Sequence, residues 1–161
     1  MQTAAFDNAL PELFSELVDG VSLPEAYMIN TGDPGLLRSL DKLSATAASK
    51  PTANGSSIAA HVEHLRYGLS LMNRWAAGEN SFEDADFSAS WRKTRVTAAE
   101  WKQLRERLAE ESHRWNQALS EPREVSKSEL KSVIGSIAHL AYHVGAIRQI
   151  DLTARGPSAN D

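Results

Sequence analysis

Apolar side chains recur along nearly all of this chain at intervals of three and four residues, the period of one face of an α-helix. Leu10, Leu13, Phe14, Leu17 and Val18 make one such stripe. Ile58, His61, Leu65, Gly68, Leu69, Met72 and Trp75 make a second, and Trp101, Leu104, Leu108, Trp115 and Leu119 a third. No segment alternates apolar and polar residues as a half-buried strand would, so the predicted fold class is all-α.

The stripes and their punctuation predict helices at about 8–19, 36–47, 57–77, 97–120 and 127–154. Thr97-Ala98-Ala99-Glu100 and Ser126-Lys127-Ser128-Glu129 are capping boxes, in which a hydroxyl and a Glu exchange hydrogen bonds with free N–H groups at a helix start. Ser56 or Ser57 serves the helix before them. Pro11 suits the first turn of its helix, where the missing N–H costs nothing. Asp19-Gly20 ends that helix and Gly156-Pro157 ends the last. Residues 21–35 carry two prolines and two glycines and read as a long loop, and residues 79–96 follow no regular pattern. Four main helices with one long connection imply an antiparallel four-helix bundle, a single domain over residues 1–161.

Composition narrows the function. No apolar run approaches the roughly 20 residues needed to cross a bilayer. The N-terminus lacks the basic start and apolar stretch of a signal peptide, so no membrane association and a cytoplasmic location are expected. The chain has no cysteine, which excludes disulfides, thiolate ligands and a cysteine nucleophile. Its 17 basic and 21 acidic residues leave a net charge of -4 and no footprint for nucleic acid. The basic residues between Arg92 and Arg114 alternate with Glu100, Glu106, Glu110 and Glu111, as on a solvated helix face.

The chemistry lies in the histidines. His139 and His143 stand four residues apart, which on a helix is about 6 Å of rise and about 40° beyond a full turn, so both rings leave one face. His61 and His64 share a side of another helix. A lone histidine on an apolar face is more often a hydrogen-bonded core residue than a ligand. Two pairs on two core-facing helices favour a metal held between them. Imidazole suits Zn, Ni, Fe and Cu alike. His139-Leu140-Ala141-Tyr142-His143 lacks the Glu of a zincin. His61 and Ser136 stand where a di-iron carboxylate bundle would have Glu. His113 has no partner and reads as a surface residue.

These residues resemble the DinB-like (DinB/YfiT-like) metalloenzyme family. Ser57-Ile58-Ala59-Ala60-His61-Val62-Glu63-His64-Leu65 is similar to its second-helix motif, and Ile137-Ala138-His139-Leu140-Ala141-Tyr142-His143-Val144-Gly145 to its last-helix motif. Residues 36–44 resemble the approach to the second helix more weakly. The resemblance spans about residues 10–150, and only the histidine motifs in it are specific. It implies a DinB-like four-helix bundle with one divalent metal ion (Zn, Ni or Fe) held by His64, His139 and His143. His61 is then a ligand in place of His64, a partner of a ligand, or a core residue. The family often follows its last His with Arg-Gly-Gln, where this chain has Val144-Gly145-Ala146. Gly145 suits close helix packing.

Three neutral ligands leave a metal its full charge and an open position, the mark of a catalytic site. The resemblance implies a small-molecule substrate and a low-molecular-weight thiol co-substrate, with S-transfer or isomerisation as the reaction. The alternatives are a metal-dependent hydrolase and a non-catalytic stress-response bundle binding a small molecule or protein partner, its metal structural or absent. Tyr142 and Glu63 point away from the faces of their histidine neighbours, and Asp151 lies two turns beyond His143, so no catalytic residue beyond the ligands is assigned. Trp75, Trp91, Trp101 and Trp115 are many tryptophans for one small core, and a homodimer is expected from them.

Overall fold

Capping decides where the long helices begin. A computed structural model of the chain describes residues 3–21, 25–53 and 55–158. Among them are seven α-helices and no strand: α1 (Thr3–Asp19), α2 (Gly35–Asp41), α3 (Ala45–Ala48), α4 (Ile58–Ala76), α5 (Phe87–Ser90), α6 (Ala98–Ser120) and α7 (Lys127–Ile150). Both capping boxes close as read. Thr97 accepts the Glu100 N–H while Glu100 accepts the Thr97 N–H, and Ser126 and Glu129 repeat the exchange. Ser57, not Ser56, caps α4 by accepting the Ala60 N–H.

Four expectations needed correction. Pro11 lies inside α1, not in its first turn; the helix forgoes one bond there and continues. The single helix expected at 36–47 is two, because Ser44 leaves helical geometry to cap α3. That break frees the Leu43 carbonyl to accept the Trp101 indole N–H at 2.8 Å. Residues 79–96 contain the one-turn α5, capped by Asp86. Finally α7 stops at Ile150, and a 3₁₀ turn (Leu152–Ala154) follows because the Asp151 side chain turns to accept the Thr153 N–H.

The four long helices carry the core. α6 lies along α4 and also against α1, while α7 packs on α4 and α1. Phe14 and Leu17 of α1, Ile58 and Leu65 of α4, Leu108 and Trp115 of α6, and Leu140 and Ile147 of α7 are buried together. None of the four tryptophans is exposed. Trp115 donates to Ser136 Oγ, so the tryptophans are absorbed by the chain's own packing and supply no apolar surface patch. Among the described residues no helix is long and apolar enough to cross a membrane.

One end of the molecule is pinned by close backbone contact and a buried ion pair. Gly20 and Gly35 adopt positive φ of 90° and 77°, and a Cβ on either would strike the backbone of the other's segment. Beside them the Arg148 guanidinium of α7 grips the Asp33 carboxylate through two bonds of 2.7 Å. The pair ties the end of α7 to the loop between α1 and α2.

Candidate metal centre

The i, i+4 and i, i+3 spacings bring all four core histidines to the α4–α7 contact. His61, His64 and His143 are buried and His139 is half-buried. His139 Nε2 lies 3.1 Å from His64 Nε2 and 3.0 Å from His143 Nε2. One nitrogen from each of these three residues falls within 4.8 Å of the others. His61 stands behind this group, its Nδ1 2.8 Å from His143 Nδ1.

The protons can be assigned from hydrogen bonds. Ser90 Oγ is 2.6 Å from the Phe87 carbonyl, which only accepts, so the hydroxyl proton goes there. Ser90 Oγ must therefore accept from His64 Nδ1, 2.7 Å away. The neutral imidazole carries one N–H, which leaves His64 Nε2 as a bare lone pair aimed at His139. His139 Nε2 has at most one proton to share between two neighbours. When His143 Nδ1 donates to His61, a second bare lone pair faces the same atom. Such an arrangement is satisfied by a cation among the three nitrogens, since ligand nitrogens around a tetrahedral ion stand about 3.3 Å apart. The residues present fit a divalent metal.

Burial keeps these rings neutral and ready to ligate. The His143 imidazole is pushed down to about 3 by desolvation, then by His139, His61 and His64. His64 is pushed down to about 4 by desolvation, then by His139 and His61. Desolvation also lowers His61 and His139. These folded values lie below the ordinary 6.5, so in that interval the unfolded chain binds more protons than the folded one. Stability present above pH 6.5 is thus lost as pH falls through about 4 and then about 3. Metal-free protein is expected to lose about 1.4 kcal/mol per pH unit for each histidine that titrates only when unfolded. Urea unfolding of chelator-treated protein at stepped pH checks this. A flat profile from pH 6.5 to 4 would contradict a neutral cluster.

One side of the group is closed. Trp91 stacks on His64 with ring centroids 4.4 Å apart and stands edge-on to His61 at 5.1 Å. The turn that delivers Ser90 and Trp91 is held by Tyr67, whose hydroxyl accepts the Asp86 N–H at 2.9 Å. On the other side His64 and His139 form one end of a chamber of about 350 Å³ between α4 and α7.

The remaining candidates stay apart. Glu63 is paired with Arg66, Tyr142 is exposed, and Asp151 caps the terminal turn. His113 is exposed and bonds Asp19. Gly145 is also exposed, and a Cβ on it would meet none of the described residues within 4 Å, so close packing is not what it serves. Ser90 itself carries no mark in the sequence, which presents Trp91 only as one of four tryptophans. A single turn has no periodicity, and Asp86 ahead of it as a cap was the one available sign.

Fold and site together define a class, an all-helical protein with a three-histidine group able to hold a metal ion. The chain matches no protein-family model, no curated protein and no solved structure.

Proposed function

We propose that this protein is a divalent-metal-dependent enzyme of the DinB-like type, an antiparallel four-helix bundle that uses His64, His139 and His143 to hold Zn, Ni or Fe. The observation that carries this reading is the convergence of three Nε2 atoms with the His64 proton directed away from the centre by Ser90. A bound ion supplies Lewis acidity and lowers the pKa of a thiol or water that meets it. The chain's own residues do the orienting. Ser90 fixes the tautomer of His64, His61 holds the Nδ1 side of His143, and Trp91 covers one side.

The reaction proposed at this centre is thiol transfer, with metal-assisted hydrolysis as the second reading. Metal-assisted hydrolysis of the zincin kind employs a carboxylate as general base. Among the described residues no carboxylate joins the three histidines. A low-molecular-weight thiol needs only to be deprotonated where it meets the metal.

Untagged protein is expected to take up one divalent ion per chain, measured by elemental analysis after gel filtration. Ser90→Ala and His61→Ala should each weaken that uptake about 10- to 100-fold, the usual effect of losing an outer partner of a ligating His. Unchanged affinity in both would remove the orienting role, and failure of the wild type to take up any ion would overturn the metal centre. Loaded protein should then conjugate a small thiol to a halogenated aromatic. Uptake without turnover would leave the metal centre standing and remove the transferase.

A further inference from the structure

Of the three glycines in the interiors of α4 and α7, two line one cavity, and neither of these two has a local reason to be there. Gly68 lies within α4 and Gly135 within α7, where glycine is less favourable than alanine. Neither adopts positive φ. A Cβ on Gly135 would meet none of the described residues within 4 Å, and one on Gly68 would meet only His139 Cε1, at 4.0 Å. Neither backbone conformation nor close helix packing accounts for them. Both line the chamber that ends at His64 and His139, and what their missing side chains provide is its volume.

The walls state what the volume is for. Leu65, Leu69, Met72 and Leu140 form the floor, all of them buried, and Phe82 and Phe87 stand at the mouth 43% and 42% exposed. Exposed aromatic rings bordering a cavity mark a place where an apolar partner is missing. Among the described residues no charged side chain lines the chamber. Of its two hydroxyls, Ser136 donates to the Val133 carbonyl and accepts from Trp115, while Ser132 is exposed and only 3.4 Å from the Ser128 carbonyl. The polar side-chain atoms at the inner end are the nitrogens of His64 and His139.

We infer that the chamber binds the uncharged alkyl or aryl body of a small ligand whose single donor group reaches the histidine centre. At about 350 Å³ it lies near the lower limit of small-molecule pockets, about 300 Å³. A polyanionic or sugar-bearing ligand would find no partner for its charges, and at most Ser132 for its hydroxyls, along these walls, and burying them unpaired is costly. The inference rests on the proposed metal centre for the donor group alone. The apolar chamber exists without it.

The experiment has two arms. In the first, metal-free protein is titrated with the uncharged fluorophore N-phenyl-1-naphthylamine. In the second, cobalt-loaded protein is titrated with ethanethiol, butanethiol, hexanethiol and mercaptosuccinate, followed by the cobalt spectrum. Affinity is expected to rise about three- to fourfold per added methylene, the value of about 0.8 kcal/mol for a buried CH₂. Mercaptosuccinate should bind more weakly than butanethiol. Gly135→Leu, and to a lesser degree Gly68→Ala, should keep or raise the melting temperature, keep metal uptake, lose the fluorophore and flatten the thiol series. Gly145→Leu, on the same helix and facing open space, should change none of these.

A flat thiol series in loaded wild type, or fluorophore binding untouched by Gly135→Leu and Gly68→Ala, would overturn the chamber while leaving the metal centre in place. Fluorophore binding that is lost in those variants, in protein that takes up no metal, would keep the chamber and overturn the centre.

Discussion

Replacing His143 by alanine is expected to abolish tight binding of a divalent ion, a loss larger than the about 10- to 100-fold that follows removal of an outer partner. His143 contributes one of three converging nitrogens, and its other nitrogen is the one that meets His61. The substitution therefore removes a ligand and leaves a buried His61 without its partner. His64→Ala and His139→Ala should have similar effects, because two imidazoles alone hold an ion poorly. Competition against a chromophoric chelator reads the affinity. A second readout is the thermal shift on adding metal. An ion at about 100 times its dissociation constant stabilises the folded state by about 2.7 kcal/mol, and this increment should vanish in all three variants. A His143→Ala protein that still competes with the chelator as the wild type does would move the ligand assignment to His61.

The largest expected loss of stability comes from the last turn of α7. Arg148→Met leaves the Asp33 carboxylate, whose side chain is 2% exposed, without its counter-charge. Breaking one half of a buried pair in this way costs about 3–5 kcal/mol. Ser39 Oγ, 3.3 Å from the same guanidinium, loses a donor as well. Adding Asp33→Asn to the variant should return part of that loss, since the remaining buried group is then neutral and still able to accept the Gly35 N–H. Urea denaturation of the single and double variants measures both steps. A single variant within about 1 kcal/mol of wild type would mean that the pair is solvated in solution.

Much of this architecture was legible before any coordinates, and the parts that were not share a cause. α4 and α6 declare themselves because a sustained stripe and a cap agree on each start, and α7 by its capping box alone. The pairing of His139 with His143 follows from helical geometry alone. Which of His61 and His64 joins them does not, because three residues of helix leave both on one side. The choice is made by Ser90 and Trp91, which orient the His64 ring, while His61 is drawn back to His143 Nδ1. Those two deciding residues lie at the end of a single turn in a stretch with no period. The chamber was hidden for a different reason. Gly68 and Gly135 lie far apart in sequence and each looks like a local weakness of its helix, until α4 and α7 place them on one cavity. The number of tryptophans says nothing about where they face, and here none is exposed.

The turn Phe87–Ser90 has a kinetic consequence. It has only one helical turn of its own, tied to α4 by the Tyr67 hydroxyl, the Ser90–His64 bond and the Trp91 stack on His64. A short segment of this kind can open at less than the free energy needed to unfold the whole molecule. When this one opens, the clamp on the His64 proton and the indole lying over that ring depart together, while the helices carrying the three nitrogens stay packed. How tightly an ion is held is then set by α4 and α7 together with the Ser90 bond to His64, whereas how fast it arrives or leaves is set by how often residues 86–91 open. Affinity and residence time can drift separately under substitution, with the second adjustable at positions that never touch the ion.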